Sequence, residues 1–415
     1  MQRTLSIGLL VILALVALQT EAAKLRTAKP ESVGMSSERL ERIGIAMRKH
    51  IDAGDIQGAV TAVARRGRVV HFETHGLMDV EAKRPMDKDA IFIMMSSTKP
   101  VLAVAAMMMI EEGLIRPTDL VSKYIPEFKD MQVAVLAEPT DEDISPRTVD
   151  RSNPPPHRAV PAERPVTISD LLTHTSGLRS GGLGAAVSTP AERDTLASYI
   201  PTLGKVLLDF QPGSRWAYSG GTGLDVVGRI IEIVSGTPYD QFVRTRIFEP
   251  LGMKDTHYNL PPEKESRRVI ITGRDMSRFQ GQTTAYFSGS YGLSSTAEDY
   301  LRFEQMLVGG GALHGKRLLS PRSVTMMGSN HLGDLYRGFT GTDKGVGYGY
   351  AVSVVTDPIA AGSRRSVGAF GWGGAFGTRS WTDPAEELTA VIMIQQPHRD
   401  TQYDFDNAVQ QAIID

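Results

Sequence analysis

Hydrophobic and polar residues follow two different periods along the first quarter of the chain. SSERLERIGIAMRKHIDAG has helical periodicity, with Ser37 as a plausible N-cap. GAVTAVARRGRVVHFETHG then predicts two strands around the turn Arg65-Arg66-Gly67-Arg68. The next apolar run, IFIMMSSTKPVLAVAAMMMIEEG, is hydrophobic on nearly every side, which predicts a helix buried in the middle of the protein.

The middle of the chain has mostly helical patterns and one break in composition. Helices are predicted in VTISDLLTHTSGL, LDVVGRIIEIVSG, YDQFVRTRIFEPLG and TAEDYLRFEQMLVGGG. Between about residues 130 and 165 the chain becomes acidic and rich in proline. A long segment of this composition indicates an excursion that is either partly disordered or a lid near a site.

After Gly347 the pattern changes to short strands, predicted in YGYAVSVVTD, RSVGAFGWGG, GTRSWTDP and LTAVIMIQQP, before a closing helix in DFDNAVQQAIID. Strands joined by short turns pair antiparallel. The sequence therefore predicts an α+β fold in which both chain ends form an antiparallel β-sheet flanked by helices, with an inserted, mostly helical domain. We expect the sheet region over about residues 30–85 and 286–415, and the insert over about 88–285.

The N-terminal residues have the pattern of a secretory signal peptide. Arg3 precedes an apolar stretch from Ile7 to Leu18, and Thr20-Glu21-Ala22 follows as a small-x-small cleavage site. We expect a signal peptide over residues 1–22 and a mature domain over 23–415, exported to the periplasm or secreted. An uncleaved N-terminal anchor is the main alternative; after cleavage, no stable membrane association is expected.

Composition narrows the possible functions of this 415-residue chain. Its 41% hydrophobic and 22% charged residues are ordinary for a globular protein. The net charge of −2 provides no electrostatic footprint for nucleic acid, so no nucleic-acid partner is expected. The absence of cysteine excludes disulfides, thiolate metal sites and a lipid-anchored lipoprotein N-terminus. Oligomeric state is left open.

Candidate chemistry first appears at Ser96-Ser97-Thr98-Lys99, where an apolar run meets a helix start. Residues three positions apart share a helix face, so the Lys99 amine can reach the Ser96 hydroxyl. A serine hydroxyl needs an adjacent base to become a nucleophile, and an amine in a partly desolvated pocket can be that base. Because Ser-x-x-Lys matches also arise by chance, the motif needs partners elsewhere in the chain.

Two other segments are equipped to join Ser96. Tyr218, among turn residues in QPGSRWAYSGGTG, is either a proton shuttle or a packing tyrosine. In FGWGGAFGT, Gly373 and Gly374 let the backbone approach a ligand closely, and the Ala375 N–H can then join that of Ser96 in an oxyanion hole. The alternative for this second segment is a β-bulge or tight turn without function.

The three elements together resemble the pattern of the serine β-lactamase and penicillin-binding-protein superfamily. Within it the chain is most similar to class C β-lactamases and their esterase relatives, the family VIII carboxylesterases. The resemblance covers nearly all of the mature chain and includes LLTHTSGL (171–178), QPGSRWAYSG (211–220), EPLGMKDT (249–256), GLSSTAEDY (292–300) and GWGGAFGT (371–378). It implies that Ser96 is the nucleophile, Lys99 its partner and Tyr218 the general base.

Departures from the β-lactamase pattern indicate the substrate class. The amide of the family's Tyr-x-Asn motif is absent from Tyr218-Ser219-Gly220, and Trp372-Gly373-Gly374 replaces Lys-Thr-Gly. The family lysine attracts the carboxylate of β-lactams and stem peptides, whereas an indole provides an apolar, weakly polar-tipped wall. Trp372, Gly373 and Gly374 are thus expected to bind a neutral substrate.

The sequence therefore predicts an esterase that cleaves a neutral small-molecule ester, with no metal or organic cofactor. β-Lactamase or D-amino-acid peptidase activity, acyl transfer to another alcohol, and a non-enzymatic envelope sensor or scaffold are the alternatives. His71 and His75 have the i, i+4 spacing of a zinc pair, but on a strand they are expected to lie roughly 13 Å apart, too far to share an ion. His174 is expected to be a structural residue of its turn.

Overall fold

The computed structural model describes residues 24–138, 150, 153–184, 190–272 and 283–415. The predicted signal peptide lies outside the described residues. Within them, the strands are β1 (Gly58–Arg65), β2 (Arg68–Asp79), β3 (Arg84–Pro85), β4 (Phe92–Ile93), β5 (Gln132–Leu136), β6 (His157–Pro161), β7 (Ser294–Ser295), β8 (Ala312–Leu313), β9 (Lys316–Arg317), β10 (Val346–Tyr348), β11 (Ser353–Val355), β12 (Phe370–Gly373), β13 (Arg379–Asp383) and β14 (Leu388–Met393).

The helices in the same residues are mostly short. The α-helices are α1 (Ser37–Asp52), α2 (Lys99–Glu111), α3 (Ile168–Leu172), α4 (Leu196–Tyr199), α5 (Gly223–Ser235), α6 (Tyr239–Val243), α7 (Glu249–Leu251), α8 (Ala297–Val308), α9 (Pro321–Met327) and α10 (Arg399–Gln410). A π-helical turn, Arg244–Phe248, joins α6 to α7. The 3₁₀ turns are Pro30–Val33, Met95–Thr98, Val121–Lys123, Pro126–Phe128, Ile200–Lys205 and Pro262–Arg267.

Both ends of the chain build one eight-stranded antiparallel sheet, in the order β10-β11-β12-β13-β14-β1-β2-β3. The N-terminal strands join the C-terminal strands where β1 pairs with β14, with Val60 opposite Met393 and Arg65 opposite Leu388. This confirms the predicted fold class, an antiparallel sheet made by both ends and flanked by helices. The division into a sheet region and a helical insert at the predicted boundaries stays a prediction.

Helices cover both faces of this sheet, because alternate residues of the central strands are buried on opposite sides. Ala59 and Val63 of β1 pack with α1 and α10 on one face. Val60 and Ala62 pack on the other face, where the core includes residues of α2, α5 and α8. The N-cap of α1 is Ser36, whose side chain accepts a hydrogen bond from the Arg39 N–H, so the prediction of Ser37 was wrong by one residue.

The structure adds detail to two other predicted segments. The proline-rich excursion begins and ends as a hairpin, because β5 pairs antiparallel with β6; its residues 139–149 and 151–152 lie outside the described residues. Within YGYAVSVVTD (348–357), Tyr348 is the last residue of β10 and Ser353–Val355 is β11, so the segment joins two paired strands instead of forming one. No helix among the described residues has the length and apolar character needed to cross a membrane.

Candidate active site

Ser96 lies in the 3₁₀ turn between β4 and α2. The preceding residue, Met95, has φ +46°, a left-handed conformation that is uncommon for a residue other than glycine. The turn leaves Ser96 partly exposed, whereas Ser97, Thr98 and Lys99 are buried. Pro100 fits here because the first helical turn has no acceptor for its missing N–H. Local backbone geometry thus presents one hydroxyl of the tetrad to solvent.

Three side chains meet at the Ser96 hydroxyl. Tyr218 Oη donates to Ser96 Oγ at 2.8 Å, and Lys99 Nζ lies 3.3 Å from the same oxygen. Lys99 Nζ also lies 5.0 Å from the centroid of the Tyr218 ring. The structure therefore brings together the nucleophile, amine and phenol that the sequence predicted. This arrangement can move a proton from the serine to a neighbouring group during attack.

The fully buried Lys99 amine is held by backbone carbonyls. Nζ donates to the Gly220 carbonyl at 3.0 Å and to the Ser290 carbonyl at 2.8 Å, in addition to Ser96 Oγ. An ammonium group has three donors, and these three acceptors match them. Lys99 is therefore fixed in the direction of Ser96 by two loops that are distant in sequence.

Asp225, at the start of α5, holds one of these loops in place. Its carboxylate accepts hydrogen bonds from Ser288 Oγ at 2.7 Å, Tyr286 Oη at 2.8 Å and the Ser290 N–H at 3.0 Å. Burial raises the pKa of this carboxyl, while the hydrogen bonds and the nearby Lys99 charge oppose that shift. Asp225 thus positions the Ser290 carbonyl, which positions Lys99.

His174 accepts hydrogen bonds from the backbone N–H groups of the residues before and after Tyr218. Its carbonyl accepts the Ala217 N–H at 3.1 Å, and its Nδ1 accepts the Ser219 N–H at 3.3 Å. The imidazole packs on the Tyr218 ring with centroids 4.8 Å apart. Burial, assisted by the Lys99 charge, lowers the pKa of His174 well below its usual value, so the ring is neutral and Nδ1 can accept.

The loop after β12 packs against the chain that leads into Ser96. A Cβ at Gly374 would collide with the Met94 carbonyl oxygen, so glycine permits this approach. Thr378 Oγ1 is hydrogen-bonded to Ser97 Oγ at 2.9 Å and donates to the Met94 carbonyl at 3.2 Å. Phe376 and Met95 belong to one small apolar cluster. Ala375 therefore lies in the loop fixed beside Ser96.

Within the described part of the chain, the N–H groups of Ser96 and Ala375 donate to no acceptor. Backbone N–H groups that are not used by the fold are the donors that an oxyanion hole requires. The position of the loop is thus compatible with the predicted role of this pair.

Aromatic rings form the opposite side of the cleft. The ring of Trp372 lies 5.7 Å from Tyr218 and 5.4 Å from Tyr348, between ring centroids. Phe339, which is 55% exposed, lies 5.0 Å from Tyr218 and 5.7 Å from Trp372. Trp216 stacks beside Tyr218 at 6.2 Å. Trp372 therefore contributes to an apolar wall beside Tyr218.

The structure brings Ser96, Lys99, Tyr218 and Trp372-Gly373-Gly374 into one region, as the sequence predicts. Other residues of the region were not predicted: Asp225, Ser290 and the aromatic residues Trp216, Phe339 and Tyr348. For the aromatic side, the only sequence signal was the density of rings in RWAY and YGY. His174 is structural, as expected, but the segment it supports is the one that carries Tyr218.

The prediction that His71 and His75 lie too far apart to share an ion was wrong for their side chains. Both residues lie on strand β2, yet their Nε2 atoms converge on Thr61 Oγ1, at 2.7 and 2.9 Å. Ligand atoms of His71, Glu73 and His75 lie within 4.8 Å of one another. Burial lowers the pKa of His71 to about 3 and that of His75 to about 4, so both imidazoles are neutral partners of the threonine hydroxyl.

Comparison with known proteins agrees with this geometry. Residues 46–413 match the family model described as Beta-lactamase. Protein Rv1367c of Mycobacterium tuberculosis is 34% identical over 373 residues, which cover 84% of this chain and 88% of that protein. Esterase EstB of Burkholderia gladioli is 29% identical over 369 residues, 81% of this chain and 85% of EstB.

A solved structure extends the similarity to the fold. EstCE1, described as a hydrolase with promiscuous acyltransferase activity, superposes with a TM-score of 0.70 at 24% identity and covers 91% of this chain and 99% of EstCE1. The chain belongs to the beta-lactamase family, near its family VIII esterases, and is a serine hydrolase.

Proposed function

We propose that this protein is an exported carboxylesterase that hydrolyses neutral, short-chain carboxylic esters through an acyl-enzyme on Ser96. The observation that carries the proposal is the convergence of Tyr218 Oη and Lys99 Nζ on Ser96 Oγ, at 2.8 and 3.3 Å. A hydroxyl with two such neighbours is equipped for nucleophilic catalysis.

In the acylation half of the reaction, Ser96 Oγ attacks the ester carbonyl carbon. Its proton passes to Tyr218, which reacts as the phenolate, and the positive charge of the Lys99 ammonium group, 5.0 Å from the ring centroid, stabilises that form. The developing oxyanion is bound by the N–H groups of Ser96 and Ala375. As the C–O bond of the ester breaks, Tyr218 returns the proton to the leaving alcohol, and the acyl group remains on Ser96.

In the deacylation half, the same groups act on water. Tyr218 accepts a proton from a water molecule that attacks the acyl-enzyme carbonyl, and the proton then passes to Ser96 Oγ as it leaves. The products are the carboxylic acid and the free enzyme. Because the same phenol serves as acid and base, one tyrosine suffices for both halves.

The aromatic side of the cleft supports a neutral substrate. Trp372, which is 8% exposed, stands where the family motif has the lysine that attracts a carboxylate. An indole beside Tyr218 favours apolar acyl or alkoxy groups through burial and ring contacts. The similarity to Esterase EstB supports the same substrate class.

Ester and lactam hydrolysis should be compared in one preparation of the purified protein. We expect p-nitrophenyl butyrate to be turned over well and nitrocefin only weakly, and Ser96→Ala to abolish ester turnover. A strong preference for nitrocefin would overturn the role given to Trp372. Retained turnover in Ser96→Ala would overturn the nucleophile.

The remaining alternatives have separate readouts. A fluorophosphonate probe should label wild-type protein and not Ser96→Ala; failure to label the wild type would favour a scaffold without turnover. Product analysis with an added alcohol should yield mainly the acid, whereas predominant transesterification would make the protein an acyltransferase. Export should give a periplasmic or secreted product that lacks residues 1–22, and cytoplasmic retention of the whole chain would contradict it.

A further inference from the structure

A second pocket lies behind the strand that carries Trp372, on the opposite face of the sheet. It has a volume of about 490 Å³ and is lined by β11, the loop 360–365 and one face of α10. Arg379 reaches it from β13. Ser380, the next residue, bonds to Glu304 of α8, so Arg379 and Trp381 point to the other side, where Trp381 packs with α10.

Positive charge dominates this pocket. Five cationic side chains line it, against two carboxylates, Asp343 and Asp406; the cations are Lys344, Arg364, Arg365, Arg379 and Arg399. The protein as a whole carries a net charge of −2, so the excess is local. A concave surface lined by one sign of charge concentrates counter-ions of the opposite sign.

Arg365 and Arg379 differ in the partners that the fold provides for their guanidinium groups. Arg365 Nε pairs with Asp406 at 3.0 Å, and its guanidinium stacks on Trp381 at 4.4 Å from the ring centroid. Arg379 is only partly exposed and has no ion-pair or hydrogen-bond partner in the described residues. Burial, with the charges of Arg365 and Arg399, lowers the pKa of Arg379 to about 10.

A partly desolvated guanidinium among like charges is costly without an anion. Its planar set of N–H donors matches the oxygen atoms of a phosphate group, with which arginine forms paired hydrogen bonds. Neighbouring Arg399 and Lys344 are exposed and can move to share such an anion. The excess of cationic over anionic side chains around Arg379 therefore favours binding of an anion in this pocket.

The pocket is larger than a bare inorganic ion requires. Ligand pockets for small organic molecules typically span about 300–1,000 Å³. Val354, Val346 and Ala360 provide apolar walls, and the Tyr403 ring, 56% exposed, stands at the edge. We propose that this pocket binds a small organic phosphate, with its phosphate on Arg379 and Arg399 and its organic group against the apolar wall.

Calorimetric titration of the purified full-length protein at low ionic strength tests the proposal, with phenyl phosphate, inorganic phosphate and benzoate as probes. We expect saturable binding of phenyl phosphate, tighter than that of either other probe. Arg379→Gln and Arg399→Gln should each weaken it by about 10-fold or more, because each removes a charge-assisted hydrogen bond. Arg322→Gln, an exposed arginine on α9 outside the pocket, is the matched control and should bind like wild type.

Asp406→Asn provides a gain-of-affinity readout that general structural damage would not mimic. Removing a carboxylate from the pocket should tighten phenyl phosphate binding several-fold. Weaker binding in this variant would contradict the electrostatic origin of the site. The proposal would be overturned if phenyl phosphate showed no saturable binding, or if Arg379→Gln bound it as tightly as wild type does. It would also be overturned if Trp372→Ala lost affinity while the arginine variants did not, because the anion would then bind in the catalytic cleft. Tighter binding of benzoate than of phenyl phosphate would overturn the phosphate assignment.

Discussion

The two sides of the cleft around Ser96 are built in different ways. On the polar side, Lys99 is held by the carbonyls of Gly220 and Ser290, and Tyr218 is held by His174. On the aromatic side, Trp372 and Phe339 are placed by ring contacts at 5.0–5.7 Å from Tyr218 or each other. Hydrogen bonds fix direction to within a narrow angle, whereas ring contacts tolerate lateral shifts.

This difference separates reaction chemistry from substrate choice. Proton transfer slows by about 100-fold when donor and acceptor are misplaced by about 1 Å, so the polar side needs directional contacts. An apolar group binds through buried area, which many ring arrangements can supply. We therefore expect substitutions on the polar side to lower kcat strongly, and substitutions on the aromatic side to change which ester is preferred.

The largest expected effect is that of Tyr218→Phe. It removes the hydroxyl that lies 2.8 Å from Ser96 Oγ and retains the ring contacts with Trp216 and Trp372. We expect kcat for p-nitrophenyl butyrate to fall by about 10³-fold with little change in KM, because general acid–base catalysis typically contributes 10²–10⁴-fold. Steady-state kinetics with a thermal melt would check both activity and folding.

If Tyr218→Phe instead raised KM and left kcat intact, the phenol would belong to the aromatic side and the comparison would fail. Lys99→Met is the companion variant on the same side, and it should lower kcat by a similar factor. A variant with wild-type kcat at either position would remove that residue from the proton pathway.

A smaller effect on the same side is expected at His174. Asn keeps an acceptor at the position of Nδ1 and tolerates the left-handed backbone, φ +57°, whereas Gln places its amide one bond further out. His174→Asn should retain kcat within about 3-fold, and His174→Gln should lose about 100-fold, which is the scale of a 1 Å misplacement.

The pair of His174 variants distinguishes positioning from simple packing. A packing role predicts equal losses in Asn and Gln, or a loss that follows the melting temperature. A positioning role predicts that kcat recovers in Asn at unchanged KM, even when both variants melt at the same temperature.

On the aromatic side, Phe339→Ala should alter preference more than rate. Its ring contacts Trp216, Tyr218 and Trp372 while remaining half exposed to solvent. Aromatic contacts contribute about 0.5–1.5 kcal/mol, so kcat/KM for p-nitrophenyl hexanoate should fall by about 2- to 10-fold relative to the acetate. Leu335→Ala, also exposed but outside this ring cluster, is the control. An equal fall for both esters would show that Phe339 belongs to the catalytic side.

Sequence patterns predicted the polar side better than the aromatic side. Ser96 and Lys99 lie three residues apart, and Tyr218 and Trp372 follow in motifs, so local sequence identified them. Asp225 and Ser290 act through hydrogen bonds to segments 61 or more residues away, which no local pattern reveals. Phe339 lies in a loop whose position depends on tertiary packing, and its sequence carries no periodic signal.

The same limit applies to the fold. The central strands of the sheet were predictable because they alternate or run hydrophobic and are joined by short turns, whereas the short edge strands β3 and β10 were not predicted. The β5–β6 hairpin was not predicted because its second strand, HRAVP, is largely exposed, is preceded by Pro156 and ends at Pro161. The convergence of His71 and His75 on Thr61 was missed because strand spacing fixes Cα positions and leaves long side chains free to tilt.

The last comparison concerns one buried carboxyl on each side of the cleft. Substitution of such a carboxyl is expected to have the smallest effect on activity and a measurable effect on stability. Asp225, behind the polar side, accepts three hydrogen bonds close to the Lys99 charge. Glu304, on α8 beneath β13, accepts hydrogen bonds from the hydroxyls of Ser380 and Thr382, at 2.5 and 2.6 Å, and its carboxylate has no other hydrogen-bond partner among the described residues. Burial raises the pKa of Glu304 to about 7.

Glu304→Gln should therefore flatten part of the dependence of stability on pH. An acid whose pKa is raised by folding holds its proton in the native state when the unfolded chain has lost it, so its contribution to stability declines as pH rises from about 4.5 to about 7. Gln does not titrate, and the free energy of unfolding of the variant relative to wild type should rise by roughly 2–3 kcal/mol between pH 4.5 and 8. Urea denaturation at both pH values measures this difference, and ester turnover at pH 7 should stay within about 3-fold of wild type. If the free energy of unfolding had the same pH dependence in both proteins, folding would not raise the pKa of Glu304. The carboxyls behind the two sides of the cleft would then not differ in the way proposed.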